Sequence, residues 1–370
     1  MNIGYEAKRN FHNKTGLGNY SRDLVRILAQ LYPENNYFLY NPKVSEKKLF
    51  VCNDLNVFEK NPKSFFYKKF KNIWRQKGVI KDLNNDKIEI FHGLSGELPS
   101  GLRKSNIKSV VTIHDLIFMR YPEFYSFFDR KIHFYKFRKA ARQADVVIAI
   151  SEQTKKDIVQ FLDIPESKIK VIYQGCQNIF KESFSDEEKK IVSQKLNLPE
   201  QFILNVGTIE ARKNIFSVVK AIKNIDTHLV IVGGETKYTK EIRKYIVENQ
   251  LENKVLFLKG LNSKELAILY QLSTIFIYPS LFEGFGIPII EALYSKTPVI
   301  TTNSGVFPEA GGSDSIYVDP NNIDEIQKKI QLLLSNEELR MEIAEKGFTF
   351  VQKFNDKTIA NQVMVLYKSL

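Results

Sequence analysis

Apolar runs of four to six residues alternate with longer amphipathic segments along almost the whole chain. In the first half the runs fall at residues 2–6, 37–40, 88–92, 109–113, 146–150 and 170–173; in the second, at 203–207, 228–233, 255–258, 275–278, 299–302 and 315–318. Each reads as a strand. Between them, residues 20–31, 215–225, 238–249 and 263–271 carry apolar positions at helical spacing. Many of the runs are continuously apolar rather than alternating, which suits parallel strands covered on both faces. The pattern predicts an α/β chain of two doubly wound domains. It breaks over residues 174–190 into Gly175, Asn178, Ser183, Ser185 and a group of acids, so the first domain is expected to take residues 1–175. No internal repeat or low-complexity linker interrupts the alternation.

Length and composition fit this picture. At 370 residues there is chain enough for two ordinary cores, and 43% hydrophobic with 26% charged residues describes a globular protein. No apolar run approaches the roughly 20 residues of a membrane-spanning helix, and Met1-Asn2-Ile3-Gly4-Tyr5-Glu6 does not open like a signal peptide. The two cysteines, Cys52 and Cys176, could pair, but nothing demands it, and a reducing cytoplasm is the simpler expectation.

Charge changes the picture more. Residues 1–180 carry a net +13 and the remainder −1, so the whole positive excess lies in the first half. Such asymmetry points to an anionic partner, a nucleic acid or a membrane surface. The densest patch, residues 63–81, holds Lys63, Lys68, Lys69, Lys71, Arg75, Lys77 and Lys81 with no acid. Phe66, Phe70, Ile73 and Trp74 fall at helical spacing within it, as in an interfacial helix on anionic lipid. A surface helix burying its stripe in its own domain would read the same way. Residues 118–142 form a second aromatic and basic stretch.

The most informative window is Glu283-Gly284-Phe285-Gly286-Ile287-Pro288-Ile289-Ile290-Glu291, between the run 275–278 and an apolar stretch that Pro288 can open as a helix. Glu283 is expected on the loop and Glu291 in the first helical turn. Gly284 and Gly286 allow main-chain amides close to a ligand, and a helix N-terminus favours an anion. Taken alone, the window could be a glycine-rich turn with two incidental acids. Three other pieces accompany it in order: Thr15-Gly16-Leu17-Gly18-Asn19-Tyr20, expected as a loop entering a helix near Asn19; Thr112-Ile113-His114-Asp115 at a strand end; and Asn205-Val206-Gly207-Thr208-Ile209-Glu210-Ala211-Arg212-Lys213-Asn214 after the first strand of the second half.

The ordered set resembles the retaining nucleotide-sugar glycosyltransferases of family 4, the former group 1. That resemblance implies the GT-B fold, two Rossmann-like domains facing a central cleft, with a last helix at residues 356–370 returning to the first domain and residues 176–355 forming the second. It implies that Arg212 and Lys213 clamp the donor diphosphate together with Gly16, Gly18, Gly207, Gly284, Phe285, Gly286 and Ile287. Glu283 would contact the donor sugar, Glu291 the ribose, and His114 would lie beside the sugar. Lys259 and Leu261 would edge the base pocket. No Asp-x-Asp occurs in the chain, so metal-independent transfer without a cofactor is expected, the cations and amides taking the metal's place. His114-Asp115-Leu116-Ile117 followed by Arg120-Tyr121-Pro122-Glu123 resembles bacterial mannosyltransferases of polysaccharide and O-antigen assembly, which implies GDP-mannose as donor; a UDP-sugar remains an alternative. The expected acceptor is a glycan or a polyprenyl-linked oligosaccharide, reached from the cytoplasm with peripheral contact at the inner face of the plasma membrane. Two readings of other classes stay open: a sugar-nucleotide epimerase, against which the two acids speak, and a basic nucleic-acid-binding protein, which would leave those acids unexplained.

Overall fold

The computed structural model describes residues 1–44, 49–50 and 54–370. Cys52, the candidate partner of the buried Cys176, lies outside the described residues. The chain divides into two compact units, Met1–Gly175 with Phe354–Leu370, and Cys176–Lys353. Among the described residues the first unit holds a sheet of β1 (Asn2–Glu6), β2 (Asn36–Tyr40), β3 (Val57–Lys60), β4 (Ile90–Gly93), β5 (Lys108–Ile113), β6 (Val146–Ala149) and β7 (Ile169–Val171). Their order is β3-β2-β1-β4-β5-β6-β7, with every pairing parallel. The second unit holds β8 (Phe202–Val206), β9 (His228–Val232), β10 (Val255–Leu258), β11 (Ile275–Tyr278), β12 (Val299–Thr302) and β13 (Ile316–Val318), ordered β10-β9-β8-β11-β12-β13 and again wholly parallel. Both units are Rossmann-like.

Burial explains the apolar runs. Val147, Ile148 and Ala149 on β6, and Ile275, Phe276 and Ile277 on β11, are fully enclosed because helices cover both faces of each sheet. One face of the first sheet packs Ile3, Tyr5 and Ile90 against Leu24, Val25 and Leu28 of the helix Gly16–Leu31, and against Ile359, Val363 and Met364 of the closing helix Asp356–Lys368. The other packs Val111, Ile113 and Val147 against Leu83, Ala140 and Ile158. Each such aliphatic side chain stabilises its unit by roughly 1.5–3 kcal/mol. The closing helix is capped by Asn355, whose side chain accepts from the Thr358 amide at 2.8 Å. Arg26 holds Asp356 at 2.9 Å.

Two expectations need correction. The strand β3 escaped the sequence pattern because among the described residues it is the sheet edge, paired only with β2, where Phe58 and Glu59 are exposed and Lys60 pairs with Asp86 at 2.8 Å. Residues 63–81 are not one amphipathic helix. A helix at Phe65–Lys69 ends where Phe70 leaves helical geometry, and a second segment begins at Lys71. Trp74 turns inward, 1% exposed, with its indole N–H on Asp82 at 2.7 Å. Arg75 also turns in and pairs with Glu6 at 2.6 Å and Glu97 at 2.9 Å. Phe65, Phe66, Phe70 and Ile73 stay exposed. Among the described residues no helix is long and apolar enough to cross a membrane.

Candidate active site

In the second sheet the winding reverses between β8 and β11, which are neighbours in space but not in sequence. Loops leaving adjacent strands diverge at such a reversal and open a crevice beyond the carboxyl ends. Arg212 and Lys213 come from the short turn Ala211–Lys213 that follows β8, and Glu283 from the loop that follows β11. The Leu281 amide donates to the Arg212 carbonyl at 2.8 Å and joins the two loops.

The three charged groups converge on one atom. Glu283 Oε1 accepts from an Arg212 Nη at 2.8 Å, from the Tyr278 hydroxyl at 3.0 Å, and from Lys213 Nζ. Arg212 extends its other arm to Glu210 at 2.6 Å, and Lys213 also donates to the Tyr278 hydroxyl. Burial by itself would raise the Glu283 carboxyl, but Lys213 and Arg212 hold it below the usual carboxylate range. Burial likewise opposes the charge on Lys213, and Glu283 outweighs it, so Lys213 stays protonated. The chemistry available is a two-pronged cationic site, guanidinium fork and ammonium, held ready by a carboxylate that an incoming anion can displace.

Glu291 behaves differently. It lies in the second turn of the helix Ile287–Tyr294, not the first, since the helix begins one residue before Pro288. Its carboxyl accepts from the Tyr270 hydroxyl at 2.9 Å, and burial pushes it up to about 8. Gly286 precedes the helix at φ +112°, a left-handed conformation that needs glycine. Phe285 is buried, so its side chain serves the core. Gly207 follows β8, and its amide donates to the Val232 carbonyl at 2.9 Å. Gly233, which the sequence pattern did not single out, packs so tightly there that a Cβ would stand 1.8 Å from the Gly207 oxygen. Lys259 and Leu261 follow the edge strand β10, two strands from β8.

In the first unit the winding reverses between β1 and β4. Gly16 and Gly18 are not loop residues there: they form the first turn of the helix Gly16–Leu31, with Thr15 at the capping position and Asn19 inside. The cap is supplied from upstream, where Asn13 Oδ1 accepts from the Thr15 amide at 2.8 Å and the Gly18 amide at 3.2 Å. His114 is buried just after β5, its Nε2–H donating to the Leu94 carbonyl at 2.9 Å and its ring set edge-on to Tyr20. Burial lowers it to about 4, so the imidazole is neutral and Nδ1 is an acceptor. Behind it runs a chain the sequence did not reveal: Tyr20 and Thr112 hydroxyls at 3.1 Å, Thr112 to His92 at 2.8 Å, and His92 to Tyr367 of the closing helix at 2.6 Å.

Residues 186–350 match the family model for glycosyl transferases group 1, and residues 15–177 that for glycosyltransferase family 4. The chain belongs to the family 4, group 1 glycosyltransferases. It is 25% identical over 380 residues to O-antigen chain mannosyltransferase B of Escherichia coli, covering 96% of both chains. It is 32% identical over 224 residues to the O-antigen chain mannosyltransferase RfbU of Salmonella typhimurium, covering 60% of this chain and 59% of that one. Among solved structures, sucrose-phosphate synthase from Thermosynechococcus elongatus superposes with TM-score 0.80 at 21% identity, covering 100% and 98% of the two chains. HepE of Anabaena, in complex with UDP and glucose, does so with TM-score 0.77 at 18% identity over the whole of both chains. This glycosyltransferase therefore has the GT-B fold, with the Arg212–Lys213–Glu283 cluster in the portion matched by the group 1 model. Tyr278 and Glu210 join that cluster, and Tyr270 joins Glu291, as partners that no linear spacing could have named.

Proposed function

We propose that this glycosyltransferase retains anomeric configuration and moves mannose from GDP-mannose to a glycan or lipid-linked oligosaccharide during polysaccharide assembly, without a metal. The observation that carries the reading is the pair of cations at the β8/β11 reversal that share the Glu283 carboxylate, with Glu210 on the other arm of Arg212. As the bond to the sugar breaks, charge gathers on the departing diphosphate, and Arg212 with Lys213 offers it a fork and an ammonium, each contributing ~3 kcal/mol in such roles. Glu283, released from the cations, can accept from a sugar hydroxyl; its Oε2 takes none of the three bonds that hold Oε1. Glu291 would accept from the ribose hydroxyls, whose donation favours the ionised carboxylate. In the retaining step the acceptor hydroxyl attacks on the face the diphosphate leaves and passes its proton to a phosphate oxygen. The sugar–phosphate bond breaks as the new glycosidic bond forms. The mannosyl assignment draws on the mannosyltransferases of O-antigen chains to which the chain is similar.

A thermal-shift screen across GDP, UDP, ADP and their sugars tests this. A ligand at 100 times its Kd stabilises by about 2.7 kcal/mol, so GDP-mannose should give the largest shift. A larger response to a UDP-sugar would reassign the donor, and no response to any nucleotide would remove the reading.

A further inference from the structure

Tyr278 is the last residue of β11 and is 1% exposed, yet its hydroxyl stands among charges. Phe276, two residues earlier on the same face of the strand, stacks on it with ring centroids 5.8 Å apart and carries no hydroxyl, so packing here asks only for a ring. The Tyr278 oxygen is engaged twice. It donates to Glu283 Oε1 at 3.0 Å and accepts from Lys213 Nζ, and the same ammonium lies 4.9 Å from the ring centroid. Burial, with Glu283 beside it, pushes the phenol up to about 12, so it keeps the proton that it donates.

This bond matters most once an anion has arrived, a step that rests on the reading of Arg212 and Lys213 as the diphosphate clamp. In the empty site the two cations hold Glu283 ionised against its burial. A diphosphate that draws on both of them withdraws that support. Nothing nearby replaces it: Glu210 on the other arm of Arg212 is itself an acid, and Glu291 on the helix Ile287–Tyr294 is engaged by Tyr270. Among the described residues, Tyr278 is the one donor to Glu283 Oε1 that carries no charge for the diphosphate to compete for. We propose that Tyr278 is a positioning residue of the donor site, its hydroxyl holding Glu283 ionised and aimed at the sugar after the diphosphate has taken Arg212 and Lys213. Being enclosed, it acts through Glu283 and not on the substrate.

Tyr278→Phe removes the oxygen and keeps the ring, with its stacking and its hold on the ammonium. Titration calorimetry with inorganic pyrophosphate at pH 7, in buffers of different ionisation enthalpy, counts the protons exchanged on binding. Pyrophosphate has no ribose, so Glu291 is not engaged. A hydrogen bond to the charged form of an acid favours that form, so Tyr278→Phe should take up more protons than wild type, by up to one per site. Added to Glu283→Gln, the same change should leave the count as it was. Thr301→Val removes the bond onto the Tyr278 carbonyl, 2.8 Å long, without touching the hydroxyl, and should count like wild type. With the nucleotide sugar that gives the largest thermal shift, Tyr278→Phe should lower kcat about tenfold, the worth of one hydrogen bond to a charged group, and leave KM within about twofold. Thermal melting verifies that each variant is folded. Pyrophosphate bound as tightly by Arg212→Ala and Lys213→Ala as by wild type would remove the clamp, and this role with it. Binding at the clamp with equal proton counts in wild type and Tyr278→Phe would overturn the positioning role alone, whether or not turnover falls, and so would an uptake that persists in the Glu283→Gln background.

Discussion

Glu291→Gln is expected to stabilise the empty protein while weakening its hold on nucleotide. The Glu291 carboxyl stands at about 8 rather than the ordinary 4.5, because burial strips its water and the Tyr270 hydroxyl, the only donor to it among the described residues, offsets that only in part. Below 4.5 both folded and unfolded chains hold the proton. As pH rises beyond that, the unfolded chain releases it and the folded one does not, so stability falls until about pH 8 and then levels. At about 1.4 kcal/mol per unit the ceiling is ~5 kcal/mol; Glu291 keeps some solvent access, which brings the expectation to roughly 1–3 kcal/mol. Gln keeps the shape and has no proton to lose. Scanning fluorimetry without nucleotide should therefore give equal melting temperatures near pH 5 and a variant about 3–10 °C higher at pH 8.5. In calorimetry the variant should bind GDP about 10- to 100-fold more weakly, having lost charge-assisted bonds. Wild-type binding at pH 7 should release a proton. A variant less stable than wild type at pH 8.5, or a difference that does not change with pH, would refute the desolvation argument.

Glu283→Gln should cost the empty protein about 3 kcal/mol by removing the carboxylate that Arg212 and Lys213 share; nucleoside diphosphate should restore it, with a larger melting shift than in wild type, and loss of nucleotide binding instead would make Glu283 a ligand of the nucleotide itself. The Glu283 contribution is present above the unfolded carboxylate range and disappears as pH falls through its depressed value. Gly18→Ala places a Cβ 2.0 Å from the Asn13 oxygen and should lower stability in urea by ~2 kcal/mol or more, whereas Gly16→Ala meets nothing within 4 Å and should stay within about 0.5 kcal/mol of wild type. Turnover should survive excess EDTA; loss restored by magnesium or manganese would overturn metal independence.

What was legible in the sequence follows from what dominates locally. Val146-Val147-Ile148-Ala149 and Ile275-Phe276-Ile277-Tyr278 are continuous apolar runs because helices cover both sheet faces, so their strands could be read directly. The edge strand at Val57–Lys60 lacks that cover and left no such mark. Spacing placed Trp74 with Phe66 and Phe70, but the chain breaks at Phe70, and the indole finds Asp82 inside. In the same way the motifs supplied Arg212, Lys213 and Glu283 as separate candidates. Their convergence on one oxygen depends on β8 and β11 being adjacent, a property of strand order rather than of any window. The raised Glu291 rests on Tyr270 and on surrounding burial, neither of which a linear pattern records.

The most direct measurement is incubation of the purified protein with GDP-mannose and a lipid-linked or soluble glycan acceptor, followed by NMR assignment of the new linkage. The account predicts a mannoside with the donor's α configuration, formed at least 100-fold more slowly by folded Arg212→Ala and Lys213→Ala variants. An inverted product, or undiminished transfer by both variants, would contradict it.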